Sequence, residues 1–200
     1  MPVAKMYTAK SSVATVSEGL ECFGGQGYIE DTGLPGMFRD SQVLPIWEGT
    51  SNVMSLDVLR ALSKSKGECY RAFASRIQEV TANAKNLPEE AAKIGEALKG
   101  LTNIMSEQSA NPELLQVIAR DLTQNLAHLY IACLLLEHAA SPVASQCDRL
   151  ALKQWVSRHD LNLVHCNLEK GVYEANAEER LSLIYDSYDE NDVLSNVYDK

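Results

Sequence analysis

Aromatic residues are scarce in this chain, at 6% of the total, and only six prolines and eleven glycines are spread over 200 residues. That scarcity argues against a loop-rich β-protein, which needs many turn residues and aromatic strands. Bases are outnumbered as well: 18 Lys and Arg stand against 27 Asp and Glu, a net charge of -9. An acidic surface repels nucleic acid and anionic lipid, so neither is expected as a partner. The longest apolar run, residues 126–136, is broken by His128 and is too short to span a bilayer. The five cysteines (Cys22, Cys69, Cys133, Cys147, Cys166) show no CxxC pair and no Cys/His ligand spacing. They read as buried free thiols of a reducing intracellular compartment, and no metal site is expected. No signal-peptide core or arginine-rich leader stands at the start.

What is present is helix-forming. Val3, Met6, Val13, Val16, Leu20 and Phe23 recur at helical spacing over residues 3–23, with Pro2 suited to the first turn and Gly24-Gly25 to the end. Residues 24–48 read as loop, with one helical turn after Pro35. Thr50 or Ser51 caps a helix to about Leu62. A polar break, Ser63-Lys64-Ser65-Lys66-Gly67, divides residues 1–62 from residues 68–200. Helices are predicted beyond it at 68–84, 88–106 and from Asn111-Pro112-Glu113 to about Ala140. The last is apolar on more than one face, which marks it as the central helix of an antiparallel bundle. Ser141-Pro142 is read as the cap of a fourth helix carrying Val143, Cys147, Leu150 and Trp155. Residues 169–200 hold nine Asp and Glu against three Lys and Arg, with Leu181, Ile184, Tyr185 and Tyr188 as docking candidates. The fold class is all-α.

Chemistry has few candidates. His128 and His138 lie on the apolar helix and read as core or edge histidines. His159 and His165 have no ligand partner at metal spacing. Glu48 and the glycine cluster Gly24, Gly25 and Gly27 stand out only weakly on spacing: a glutamate before a helix often serves the dipole, and GGxG ends many helices.

Taken together, three sub-motifs are more specific. They are Glu21-Cys22-Phe23-Gly24-Gly25-Gln26-Gly27-Tyr28, Arg39-Asp40, and Trp47-Glu48-Gly49-Thr50-Ser51-Asn52, in that order. They resemble the C-terminal signature of the acyl-CoA dehydrogenases over residues 3–62. Trp47 and the run from Asn52 to Arg60 look most like the AidB-like branch, which carries extra helices after the signature. The resemblance implies an FAD-dependent oxidoreductase acting on the α–β bond of acyl-CoA. Glu48 would be the catalytic base, and Trp47 and Gly49 would line the substrate beside it. Thr50, Ser51 and Asn52 would meet the flavin, while Glu21, Cys22, Phe23, Gly24 and Gly25 would contact a flavin held by a neighbouring subunit. The resemblance further implies a homodimer or homotetramer, a flavoprotein as electron acceptor, and a mitochondrial setting. Arg39-Asp40 would order the loop as an ion pair. Position 21 departs from the family, with Glu where Gln is commoner, and a carboxylate is unfavourable beside a pyrophosphate. The family's middle β-domain is expected to lie outside these 200 residues, so that the chain alone would be inactive. The rival reading is a non-enzymatic helical module for oligomerisation or partner binding that keeps a relic of the signature.

Overall fold

The computed structural model describes residues 1–108 and 111–173. The predicted tail helix around Leu181, Ile184, Tyr185 and Tyr188 lies outside the described residues. Among those residues there are eight α-helices and no strand. They are α1 (Pro2–Cys22), α2 (Leu34–Val43), α3 (Ser51–Lys64), α4 (Glu68–Asn83), α5 (Pro88–Glu107), α6 (Pro112–Ala140), α7 (Gln146–Arg158) and α8 (Leu163–Glu169). Met1–His165 form one compact unit, and Cys166–Lys200 form a second. In the described part of that second unit, Asn167 Nδ2 donates to Tyr173 Oη at 3.2 Å.

The first unit is built around α6. Its side chains Ile118, Leu122, Leu129, Ala132, Cys133 and Leu136 are fully or almost fully buried, on more than one face of the helix. A helix buried on more than one face must be packed from several sides, and α6 packs against α1, α3, α4, α5 and α7. Ile77 and Val80 of α4, Ile94, Leu98 and Leu101 of α5, and Leu152 of α7 complete the bundle core. Met6 and Ala9 of α1 and Met54 and Val58 of α3 join it from the N-terminal segment. The polar break at residues 63–67 is a tight junction, with Gly67 at φ +76 and its N–H donating to Leu62 O at 2.9 Å. One buried polar side chain also serves the packing. Asn125 of α6 donates to Leu161 O (2.7 Å) and accepts from Val164 N (3.3 Å), sewing the α7–α8 connection to the core.

Four details differ from the sequence reading. The segment after Pro35 is a ten-residue helix, α2, packed on α1, and not a single turn. Its inner face carries Ser41, a small polar residue whose hydroxyl donates to Phe38 O at 2.7 Å, and this hides the apolar periodicity. The fourth bundle helix starts at Gln146, with Ser145 as cap. Asp148 N donates to Ser145 Oγ (3.3 Å), and Ser145 N donates back to Asp148 Oδ2 (2.7 Å). Val143 and Leu150 consequently face solvent. Arg39 does not pair with Asp40. It makes a two-pronged contact with Glu30 at 2.8 and 3.0 Å, and that hydrogen-bonded guanidinium holds the Glu30 carboxyl below its ordinary range. Of the five cysteines only Cys133 is buried; Cys22, Cys69 and Cys147 are exposed. Burial pushes the Cys133 thiol up to about 11.

Candidate active-site segment

Residues 21–52 hold every position singled out for chemistry, and the structure divides them into two groups. The first sits at the C-terminal end of α1. Glu21 and Cys22 close the helix and are exposed, and Phe23 caps it with 59% of its surface free. Gly24 follows at φ +54 and opens a 3-10 turn, Gly24–Gly27. A Cβ on Gly24 or Gly25 would meet nothing within 4 Å, so the outer side of this turn is open to a ligand or a partner. Gly27 is glycine for an inward reason, since a Cβ there would run into the Leu20 carbonyl. Thr32 holds the next turn, its hydroxyl donating to Gln26 O (2.9 Å) and Ile29 O (2.8 Å) and accepting from Leu34 N (3.2 Å). Nothing in the spacing of residues marks Thr32 beforehand.

The second group is the entrance to α3. Trp47 N donates to Val43 O at 2.9 Å, which closes α2 and turns the indole outward, half exposed. Glu48 then takes φ +53 and Gly49 φ +109. The left-handed region costs a non-glycine residue about 1–2 kcal/mol, and Glu48 is exposed, so no packing gain offsets that cost. Gly49 could not be another residue without displacing the Met54 side chain. Its carbonyl accepts a hydrogen bond from Lys5 Nζ, which ties the loop to the start of α1. Thr50 caps α3 in extended conformation without a side-chain bond, so the first-turn N–H groups keep the free donors of a bare helix start. Ser51 O accepts from Ser55 Oγ (2.8 Å), and Asn52 Oδ1 accepts from Arg120 Nη1 of α6 (3.4 Å).

The two groups do not meet. Lys5 fixes the Glu48 loop near the start of α1, whereas Glu21 lies sixteen residues on, at the other end of the helix, with the glycine turn just beyond it. At 1.5 Å per residue, Lys5 and Glu21 are about 24 Å apart along α1. Around both groups the surface is apolar: Tyr28, Met37, Ile46 and Trp47 are 87%, 58%, 62% and 53% exposed, and Ile29, Val43, Val53 and Leu56 add to them. Such a concentration marks a surface made to be covered.

No group of three or more His, Cys, Asp or Glu among the described residues could hold a metal ion, and no described helix is long and apolar enough to cross a membrane. Two places in this segment present unengaged backbone donors: the open glycine turn and the uncapped start of α3. Both fit an anionic ligand approached by backbone N–H groups.

An all-helical chain with this signature segment and a bundle behind it is the C-terminal part of an acyl-CoA dehydrogenase architecture. Residues 1–63 match the family model "Acyl-CoA dehydrogenase, C-terminal domain". Residues 68–185 match "Acyl-CoA dehydrogenase 11 C-terminal domain-like", and the chain belongs to that family. It is 46% identical over 156 residues to "Acyl-CoA dehydrogenase family member 11" of Caenorhabditis elegans, covering 74% of this chain and 25% of that protein. It is 29% identical over 143 residues to "Putative acyl-CoA dehydrogenase AidB" of Escherichia coli strain K12, covering 72% and 24%. The solved structure of C. elegans ACDH-11 in complex with C11-CoA superposes with a TM-score of 0.76 at 35% identity, covering 88% of this chain and 32% of that one. The chain thus spans about a quarter of the length of these curated relatives.

Proposed function

We propose that this chain supplies the catalytic base and two flavin-contacting segments of an FAD-dependent acyl-CoA dehydrogenase of the AidB-like branch. The observation that carries the reading is the backbone at Glu48. A glutamate held at φ +53, exposed, between a half-exposed Trp47 and a glycine fixed at φ +109, is kept at a cost that its own packing does not repay. Strain of that kind concentrates where a side chain must point at a ligand. Glu48 takes the α-proton of the acyl thioester. Trp47 covers one side of the substrate, and Gly49 leaves room for the thioester to approach. Bound FAD would supply the hydride acceptor for the β-carbon. Thr50, Ser51 and Asn52 bind that cofactor through the donors at the start of α3.

The length of about 24 Å along α1 from Lys5, which holds the Glu48 loop, to Glu21 supports a second part of the proposal. Residues 21–25 serve a flavin other than the one beside Glu48, as they would in a homodimer or homotetramer. The exposed apolar side chains around both groups are then covered by the partner subunit and the rest of the dehydrogenase fold. That covering would also exclude water from the Glu48 carboxylate, as a base for a weakly acidic C–H requires. A second flavoprotein collects the electrons.

The test is spectroscopic. The full-length protein is expected to purify yellow, to lose its flavin absorbance on anaerobic mixing with acyl-CoA, and to stop doing so as Glu48→Gln. A full-length protein that stays colourless with excess FAD would favour a non-enzymatic helical module.

A further inference from the structure

We propose that Arg120, on the central helix of the accessory bundle, positions Asn52 for the cofactor. The inference rests on the reading of Asn52 as a flavin contact.

An asparagine amide offers an acceptor on one side and two donors on the other, and only its partners decide which way it faces. Arg120 has donors alone. Its Nη1 lies 3.4 Å from Asn52 Oδ1, so the carbonyl side of the amide is engaged and the NH2 side is turned away from α6. The Asn52 side chain is exposed at the first turn of α3, where its amide joins the free N–H groups of the uncapped helix start in presenting donors. Without Arg120 the amide would rotate freely, and half of its orientations would offer an oxygen to an anionic ligand.

Among the described residues Arg120 makes no other side-chain hydrogen bond. It forms no ion pair among the described residues. A guanidinium near a helix N-terminus is on the wrong side of the dipole, so helix stability alone would favour a carboxylate there. The positions of the two residues are nevertheless well fixed. Met54, Ser55 and Val58 bury α3 along the unit's core beside α6, and Asn52 is two residues before the first of them. The contact therefore joins the two matched families within one chain: Asn52 lies in the dehydrogenase segment and Arg120 in the accessory segment. On this account the bundle is more than an appendage, because it sets the geometry of a cofactor contact.

The experiment compares wild type, Arg120→Ala, Asn52→Ala and the double variant in the full-length protein. FAD affinity is measured by fluorescence titration of the flavin-free protein, and thermal melting is recorded without flavin. Arg120→Ala is expected to weaken FAD about fivefold, the scale of one partly exposed charge-assisted hydrogen bond. It is expected to add almost nothing in the Asn52→Ala background and to leave flavin-free melting unchanged. Arg120→Lys, which keeps a donor, should recover most of the affinity. An unchanged FAD affinity in Arg120→Ala, or the same loss with and without Asn52, would overturn the inference. If Asn52→Ala itself leaves FAD affinity unchanged, Asn52 is no flavin contact, and both the earlier reading at that residue and this inference fall.

Discussion

Glu48 and Gly49 are neighbours with opposite expectations. Glu48 already bears the strain that glycine would relieve, so Glu48→Gly should change unfolding free energy by less than about 0.5 kcal/mol, the relieved strain offsetting the added chain entropy. Gly49→Ala imposes φ +109 on an alanine and drives its Cβ into Met54, and should cost about 2 kcal/mol. Urea unfolding of the purified chain reads both. Asn125 is a third residue with a definite cost. Replacing it with alanine strands the Leu161 carbonyl and the Val164 N–H inside the protein, a loss of about 3 kcal/mol by the same measurement. Of these, Glu48 and Gly49 were legible in the sequence as members of a motif. Asn125 and Thr32 were not, because a lone polar residue in an apolar helix or loop carries no sign of which backbone groups the fold will bring to it.

Among the elements, the long helices were legible and the short ones were not. The apolar stripes of α4, α5 and α6 and the Pro-Glu starts at Pro88 and Pro112 fixed those helices to within a residue or two. α2 was obscured because Ser41 occupies its inner face, and the true start of α7 because Ser141-Pro142 offers a better-looking cap than Ser145. The α6–α7 seam makes its own prediction. His128 is largely buried between Tyr7 of α1, Trp155 of α7 and His159, with rings at 5.6, 5.9 and 5.0 Å. Its Nδ1 lies 3.4 Å from Asp160 O, and Trp155 Nε1 donates to its carbonyl at 3.2 Å. Burial lowers its pKa below 6.5, with the carbonyl of Asp160 opposing and the nearby His159 assisting. The unfolded chain therefore takes up this proton first as pH falls. Stability linked to His128 is complete above about pH 6.5 and is lost progressively below it. Urea midpoints measured from pH 7.5 to 5.5 should fall more steeply for the wild-type chain than for His128→Gln.

Across the whole molecule, the all-α class and the central place of α6 followed from composition and periodicity. The division of the signature segment into two distant groups did not. Nothing in the order of residues 21–52 shows that Lys5 holds Gly49 at the opposite end of α1 from Glu21, a placement in keeping with the separate flavin contacts that the family resemblance implies. A full-length protein forced to the monomer is accordingly expected to lose FAD affinity even with every residue near Glu48 intact. Analytical ultracentrifugation beside flavin titration tests this, and a monomer that binds FAD as tightly as the oligomer would contradict it.

The proposed role of Glu48 is removal of the acyl α-proton. It is tested most directly by exchange of the acyl-CoA α-hydrogen with deuterated water on the full-length, FAD-loaded protein, followed by mass spectrometry. The wild type is expected to exchange it, and Glu48→Gln, with FAD and acyl-CoA affinities retained, is expected to slow exchange by at least about a thousandfold. Exchange at the wild-type rate in Glu48→Gln would contradict the account.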